Sequence, residues 1–431
     1  MTAFSLTFDE AAQIRDRVGT PVYLYDEASL RAAAERALGF PAPYGLTVRF
    51  AMKACPNAAI LRLFESMGLG FDASSLFEVE RALRAGVGTS HISLSTQELP
   101  AHFGGLLEQG VELNACSLNQ LEAYGKRFPG TRVGVRFNPG LGSGGNNRTN
   151  VGGLGSSFGI WHEFLPQVVE IAAKHRLEIF RVHSHIGSGS DPAVWERVSD
   201  LTLDLARQLE TVTHVNLGGG YKVARVAGEK STDLGVVGPP IRARLEAFAA
   251  ETGRQLHLEI EPGTLLVDNA GAILSTVQDI VSTGAEGYLF YKLDTGMTEI
   301  LRPSLYGAQH DFEILAPTVR EETRPTLVVG HCCESGDILT PAPGDPEGLA
   351  PRSLPIAEVG DFCLISGAGA YCSAMPAKNY NSFPEAPELL RSRDGEWRII
   401  RQRQDLVQML ANETNERLTA RLEDLEPHFK D

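Results

Sequence analysis

The feature that most constrains this chain is a rhythm. Eight short β-branched or apolar runs fill roughly its first two-thirds: TVRFA (47–51), LGFDA (69–73), HISLS (91–95), VELNA (111–115), RVGVRFN (132–138), FRVHSHI (180–186), HVNLG (214–218) and LHLEIE (256–261). Between them lie stretches such as NAAILRLFESMG, SLFEVERALRAG, EFLPQVVEIAAKH and AVWERVSDLTLDLARQLE, with apolar residues at helical spacing. Eight strands alternating with helices predict an α/β fold of the closed (β/α)8 TIM type rather than an open doubly wound sheet.

Near residue 270 the rhythm stops. AILSTVQDIV, GYLFYKLD, TLVVGHC, DFCLIS and EWRIIR read as strands without regular helices between them, which predicts a second, mainly β domain. TPAPGDPEGLAPR (340–352) is expected to be a loop, and the polar tail from 403 to 425 a helix. The opening PVYLY run (21–25) fits either domain. At 431 residues the chain is too long for one ordinary domain, which suits this division.

Charge and composition exclude several partners. A net charge of −15, from 39 basic and 54 acidic residues, argues against nucleic acid and anionic membrane surfaces, which select an excess of Lys and Arg. A locally basic pocket for a small anion remains compatible with it. With no apolar run of about 18 residues and no basic leader before an apolar stretch, a cytoplasmic location is expected. Cys55, Cys116, Cys332, Cys333, Cys363 and Cys372 show neither CxxC pairs nor metal-type spacing, so free thiols and no metal site are expected.

In a (β/α)8 barrel the active site lies at the C-terminal ends of the strands. Strand one delivers Lys53 there, strand two Asp72, strand five Asn138, strand six His185, strand seven Gly218–Gly219–Gly220 and strand eight Glu261. A purely structural rim has no need of this set. Lys53 is either a rim lysine reaching solvent or an amine whose charge is removed by Schiff-base formation with an aldehyde. The glycine triplet is either a plain turn or a place where backbone N–H groups approach a phosphate, with Ser188 of HIGSG as a further donor. Glu261, in EIEPG, is either a solvated rim carboxylate or the partner of a protonated pyridine nitrogen. His185 is either a satisfied core histidine or a ring lying flat against a cofactor. In GHCCESGDIL (330–339), Cys333 is either a buried free cysteine or a proton donor.

Together these segments resemble the fold-type III pyridoxal-phosphate (PLP) decarboxylases of the ornithine/diaminopimelate/arginine group, and within it the bacterial diaminopimelate branch. RFAMKAC is similar to the family's Schiff-base lysine segment, HSHIGSG to its histidine loop, NLGGGY to its phosphate loop and EIEPG to its pyridine-nitrogen segment. LRPSLYG (301–307), CESGD (333–337), GAY (369–371) and NYNS (379–382) are similar to its second-domain motifs, and NPGLGSGGNNRTNVGG to its loop before strand six.

The resemblance implies an alanine-racemase-like barrel over 27–270, with 1–26 and 271–431 forming a β-rich domain that completes the active site. It implies PLP on Lys53, with His185 stacked on the ring and Glu261 at its nitrogen. Asp72, Ser188, Gly219, Gly220, Gly263 and Tyr371 would complete the cofactor site. Arg302, Tyr306, Glu334 and Tyr371 would bind a small amino-acid substrate, and Cys333 would return a proton to the carbon that lost CO2. Active sites shared across a homodimer, and decarboxylation of meso-2,6-diaminopimelate to L-lysine for lysine biosynthesis, are implied likewise. A racemase on the same fold is a different reaction class, and CESGD together with the length of the β domain favours decarboxylation.

Two positions depart from the family. Thr264 stands where EPGR has arginine, and Phe383 stands where NYNSRP has arginine. Each loses a guanidinium able to grip a carboxylate or phosphate with two parallel hydrogen bonds. Arg302, Arg148 or a water would then compensate, or the substrate is a different diamino acid or biosynthetic intermediate without a distal carboxylate.

Overall fold

The computed structural model describes residues 4–142, 152–189 and 191–414; Arg148 therefore lies outside the described residues. The apolar runs become parallel strands Leu46–Ala51, Gly70–Ala73, Ile92–Leu94, Glu112–Ala115, Arg132–Asn138, Glu178–Ser184, His214–Asn216 and His257–Ile260. Each pairs with its sequence neighbour, and the first also pairs with the last, closing the barrel. Helices leave the rim abruptly because Asn57, Ser75, Ser117 and Asp191 cap them, each side chain accepting a hydrogen bond from a first-turn N–H.

The barrel's inside is not purely apolar. Arg181 and Glu259, both almost fully buried, pair at 2.7 Å. Arg49 meets Glu259 at 2.9 Å and Glu112 at 3.3 Å, and Arg181 also meets Glu112. Arg181 Nη1 donates to Asn114 Oδ1 at 3.2 Å. Buried charge persists here because every member has an opposite partner.

The second unit is built on the twelve-residue strand Gly271–Ser282. It pairs antiparallel with Val22–Asp26, Leu289–Leu293 and Phe362–Ser366, so the opening PVYLY run belongs to this sheet. Val22–Asp26 in turn runs parallel to Glu388–Arg391. Residues 340–352 are more than a loop: Pro341–Ala342 and Asp345–Leu349 form a small antiparallel hairpin turned at Gly344, whose φ is +74°. Its strands carry Asp, Pro, Glu and Gly with no apolar alternation, so the pairing rests on backbone and turn chemistry. Of the helix expected over 403–425, the described residues show Leu406–Leu410, opened by an Asp405–Gln408 capping box, and residues 415–431 lie outside the described residues.

One apolar core runs through both units, from Phe50, Phe71 and Ile260 to Ile273 and Cys363. No helix among the described residues is long and apolar enough to cross a membrane.

The interior ion network gives the first expected outcome. Arg181→Met leaves Glu259 and Glu112 short of a cation in the barrel, which should cost about 3–5 kcal/mol. Urea denaturation at fixed protein concentration measures it.

Candidate active site

The amine of Lys53 sits on a single 3-10 turn, Met52–Ala54, directly after strand one. Its side chain is 42% exposed, and its Nζ lies 4.0 Å from Asp72 Oδ2. The group is ringed by protein but open to the barrel mouth. Burial works against its charge, yet Asp72, then Tyr371 and Glu261, more than offset this and hold its pKa above the usual lysine value.

The turn is fastened from the β-rich unit. Tyr371 N–H donates to Ala54 O at 2.8 Å, and Asn57 Nδ2 donates to Glu388 Oε2 at 2.6 Å. Cys55 Sγ lies 3.5 Å from Tyr25 Oη. Tyr371 itself has φ +57°, rare for a residue with a side chain, which marks this junction as tightly constrained.

Glu261 follows strand eight and is almost entirely buried. His183 Nε2 is 2.9 Å from its Oε2, and Asn216 Nδ2 donates to its Oε1 at 2.7 Å. Burial alone would raise its pKa. His183, His185 and Lys53 overcome that and keep the carboxyl well below the usual carboxylate range, so Glu261 is an anion. Asp72, in the same mouth, goes the other way: burial and the neighbouring Glu261 raise its pKa well above the ordinary value. Two carboxyls driven apart in acidity within one concave site are a signature of chemistry rather than packing.

His185 comes just after strand six. Burial, Arg136 and Lys53 push its pKa well down, so the ring is neutral. Its Nδ1 accepts from Gly219 N–H at 3.2 Å, which leaves the proton on Nε2. The glycine triplet is as tight as the alternatives required. A Cβ on Gly218 would stand 2.7 Å from His185 Nδ1, and one on Gly219 would stand 2.2 Å from the carbonyl oxygen of Glu261. The two glycine loops adjoin, with Gly189 N–H donating to Gly220 O at 3.0 Å, so Ser188, Gly219 and Gly220 share one wall. Gly263 completes it: its Cβ position lies 3.4 Å from Tyr371 Oη. The structure therefore gathers Lys53, Asp72, His185, Gly219, Gly220, Glu261, Gly263 and Tyr371 around the mouth.

Arg302 and Tyr306 lie on the short helix Arg302–Tyr306. Arg302 Nη1 is 4.0 Å from Asp268 Oδ1 and, though buried, has no hydrogen-bond partner among the described residues. Arg225 pairs with the other Asp268 oxygen at 2.7 Å. Two guanidiniums thus share one fully buried carboxylate, and burial together with Arg225 lowers the pKa of Arg302.

Cys333 and Glu334 are exposed, not buried, on a loop of the β-rich unit. Cys333 N–H donates to Asn381 Oδ1 at 2.7 Å, and Tyr380 Oη lies 3.4 Å from Glu334 Oε2. No hydrogen bond or ion pair among the described residues joins either to Lys53, His185 or Glu261. Asn138, at the end of strand five, holds its loop by accepting from the Gly140 and Gly153 N–H groups.

Reading strand ends alone misses His183, Asn216, Arg225 and Asp268. Period-two alternation finds the first two, since residues two apart on a strand share a face: His183 with His185, and Asn216 with Gly218. Arg225 and Asp268 sit in a loop and a short turn, where no periodicity operates.

Substituting His183 by Phe keeps a ring but removes the donor to Glu261. The expected loss is about 1–3 kcal/mol in urea denaturation, with Asn216→Leu costing more because Asn216 also donates to Glu259. Glu261's folded pKa lies below its unfolded one. The stability it contributes is therefore complete above the ordinary glutamate pKa of about 4.3 and lost as pH falls through the lower folded value.

Comparison with known proteins matches this architecture over nearly its full length. The family model described as pyridoxal-dependent decarboxylase, pyridoxal binding domain, matches residues 29–268. Diaminopimelate decarboxylase of Escherichia coli (strain K12) is 34% identical over 425 residues, covering 96% of this chain and 98% of that enzyme. A crystal structure of diaminopimelate decarboxylase superposes with a TM-score of 0.88 at 34% identity, over 95% of this chain and 97% of that one. A Helicobacter pylori diaminopimelate decarboxylase complexed with L-lysine superposes at TM-score 0.81 and 28% identity, over 93% and 98% of the two chains. A family model that matches more than half of the chain, and relatives 34% identical over nearly all of it, on a closed barrel with this mouth, make the chain a member of the pyridoxal-dependent decarboxylase family.

Proposed function

We propose that this protein decarboxylates meso-2,6-diaminopimelate to L-lysine, with pyridoxal phosphate held on Lys53. The observation that carries the proposal is the pairing, in one barrel mouth, of the Lys53 amine with a Glu261 carboxylate kept anionic by His183 and Asn216. The residues present fit the cofactor. Glycines at 218 and 219 let their loop pack directly on His185 and the Glu261 backbone, where any Cβ would collide, so this wall presents bare backbone; Asp72 Oδ1 is buried without a hydrogen-bond partner among the described residues, and neutral His185 offers a flat, uncharged face.

When bound, pyridoxal phosphate supplies an aldehyde that joins an amine and a ring that takes up the electron pair left behind by departing CO2. Lys53 would hold the aldehyde and yield it to the substrate amine. Glu261 would keep the ring nitrogen protonated, and His185 would cover one ring face. Ser188, Gly219, Gly220, Gly263 and Tyr371 would grip the phosphate. Cys333 would then donate its thiol proton to the carbon that has lost the carboxylate, with Glu334 beside it. Because Cys333 and Glu334 are exposed and no hydrogen bond or ion pair among the described residues ties them to Lys53, a homodimer in which each subunit completes its partner's site would account for both. Six free cysteines suit work in a reducing cytoplasm.

Substrate identity is supported by the near-complete overlap with enzymes named diaminopimelate decarboxylase. It is also supported by the Arg225–Asp268–Arg302 cluster, whose two guanidiniums face a single carboxylate and so favour a further anion such as a distal carboxylate. Thr264 and Phe383 favour the second reading, a diamino acid lacking that group.

Borohydride reduction of the holoenzyme followed by peptide mapping should place the pyridoxyl label on Lys53; a label elsewhere overturns the assignment. A substrate panel of diaminopimelate, ornithine and lysine, read as CO2 release, should single out diaminopimelate. Arg302→Gln should raise KM for diaminopimelate about 10- to 100-fold, the scale of one lost charge-assisted contact, and change turnover of monocarboxylic diamino acids little.

A further inference from the structure

Phe383, one of the two departures from the family pattern, does not point into open solvent. Its ring lies on the imidazole of His331 with centroids 3.6 Å apart and planes within 7°. These residues sit on different loops. His331 belongs to the segment that carries Cys333 and Glu334, whereas Phe383 ends the segment Asn379–Tyr380–Asn381–Ser382.

The second segment has an unusual backbone. Asn379, Asn381 and Ser382 have φ of +57°, +50° and +61°, a left-handed series that residues with side chains seldom adopt. Such a series persists only where surrounding contacts over-determine it. Asn379 Nδ2 closes the segment on itself by donating to Phe383 O at 3.0 Å, and also donates to Gln404 Oε1 at 2.6 Å. The segment then presents Asn381 Oδ1 to Cys333 N–H at 2.7 Å and Tyr380 Oη to Glu334 at 3.4 Å.

The Cys333 loop has a firm base and an open tip. At the base, the Asp337 carboxylate accepts from Met297 N–H at 2.7 Å and Cys332 N–H at 3.0 Å. His331 is anchored there as well. Thr298 gives its hydroxyl proton to Glu299 at 2.8 Å and so accepts from His331 Nε2 at 2.6 Å. Burial brings the His331 pKa down to about 4, so the ring on Phe383 is neutral. At the tip, Cys333 and Glu334 are exposed, and their ties outside their own loop run to Asn381 and Tyr380, two and three residues before Phe383.

We infer that Phe383 is a positioning residue: stacked on His331, it clasps the 379–383 segment to the Cys333–Glu334 loop and fixes where the Cys333 thiol and the Glu334 carboxylate stand. The inference rests on the proposed role of Cys333 as proton donor. It also gives the loss of arginine at 383 a physical content, because the residue there now holds His331 by an uncharged, rigid aromatic stack instead of a flexible charged donor.

The test is steady-state decarboxylation by the full-length holoenzyme. Phe383→Ala should lower kcat about 10- to 100-fold, the range for a misplaced reacting group, while KM changes less than about threefold. Phe383→Tyr, which keeps the stack, should restore kcat to within about threefold of the parent. His331→Ala removes the same contact from the other loop, so it should match Phe383→Ala and stand in for it if that variant does not fold. In a Cys333→Ser background, Phe383→Ala should add little further loss, since both act on one group. An unchanged kcat in Phe383→Ala, failure of Tyr to rescue, or an undiminished loss in the Cys333→Ser background would each overturn the inference. A Cys333→Ser enzyme with parental kcat would remove the role of Cys333 and this inference with it, whereas absence of CO2 release from the parent on any diamino acid would instead overturn the proposed function.

Discussion

A carboxylate buried in a barrel is expensive unless hydrogen bonds and opposite charge surround it, and everything in this site turns on how Glu261 meets that demand. The answer begins two residues down its own strand. Glu259 is neutralised by Arg49 and Arg181, and Asn216 spans the gap, donating to Glu259 at 3.1 Å and to Glu261 at 2.7 Å. Glu261 thus needs no cation of its own from the lower barrel. His183 supplies the remaining hydrogen bond from a ring that burial keeps neutral. The negative charge stays available to the mouth, where a protonated ring nitrogen can meet it. Had arginine stood in place of His183, the charge would have been spent inside the barrel.

The same mouth depends on the second unit for its geometry. Lys53 lies on one 3-10 turn, too short to fix itself, with its Nζ 4.0 Å from Asp72 Oδ2. Tyr371 N–H takes the Ala54 carbonyl, and Glu388 takes the Asn57 side chain that also caps the following helix. Because Val22–Asp26 pairs with both Gly271–Ser282 and Glu388–Arg391, the chain's beginning and its later strands are locked together before they meet the barrel. The lysine turn is therefore a joint between units rather than a feature of the barrel alone.

Much of this was legible in the residues. Apolar runs bounded by turn residues mark strands directly, and all eight barrel strands lie within a few residues of the expected runs. Rim residues such as Lys53, His185 and Glu261 stand out because titratable side chains at the ends of barrel strands require a reason. What escaped has a physical cause in each case. The hairpin at 341–349 has no apolar alternation to betray it. Asn216 and His183 face inward as a second tier, and their purpose is visible only once strands six, seven and eight are side by side. The exposure of Cys333 depends on where a long connection in the β-rich unit ends, which no local pattern encodes.

The two missing arginines sharpen the point. As sequence, Thr264 and Phe383 read as two lost grips on an anion. Thr264 opens the short helix Thr264–Val267, and the next residue, Asp268, is fully buried between Arg225 and Arg302. A single carboxylate cannot neutralise two guanidiniums, so a surplus of positive charge gathers at Asp268, four residues along the chain from Thr264, with Arg225 delivered by the loop after strand seven. At 383 the exchange is of kind rather than place: a charged donor gives way to an aromatic face that packs on His331. A motif letter records only the side chain at one position, whereas the chemistry of a buried pocket is set by the sum of charges and contacts that reach it from every loop.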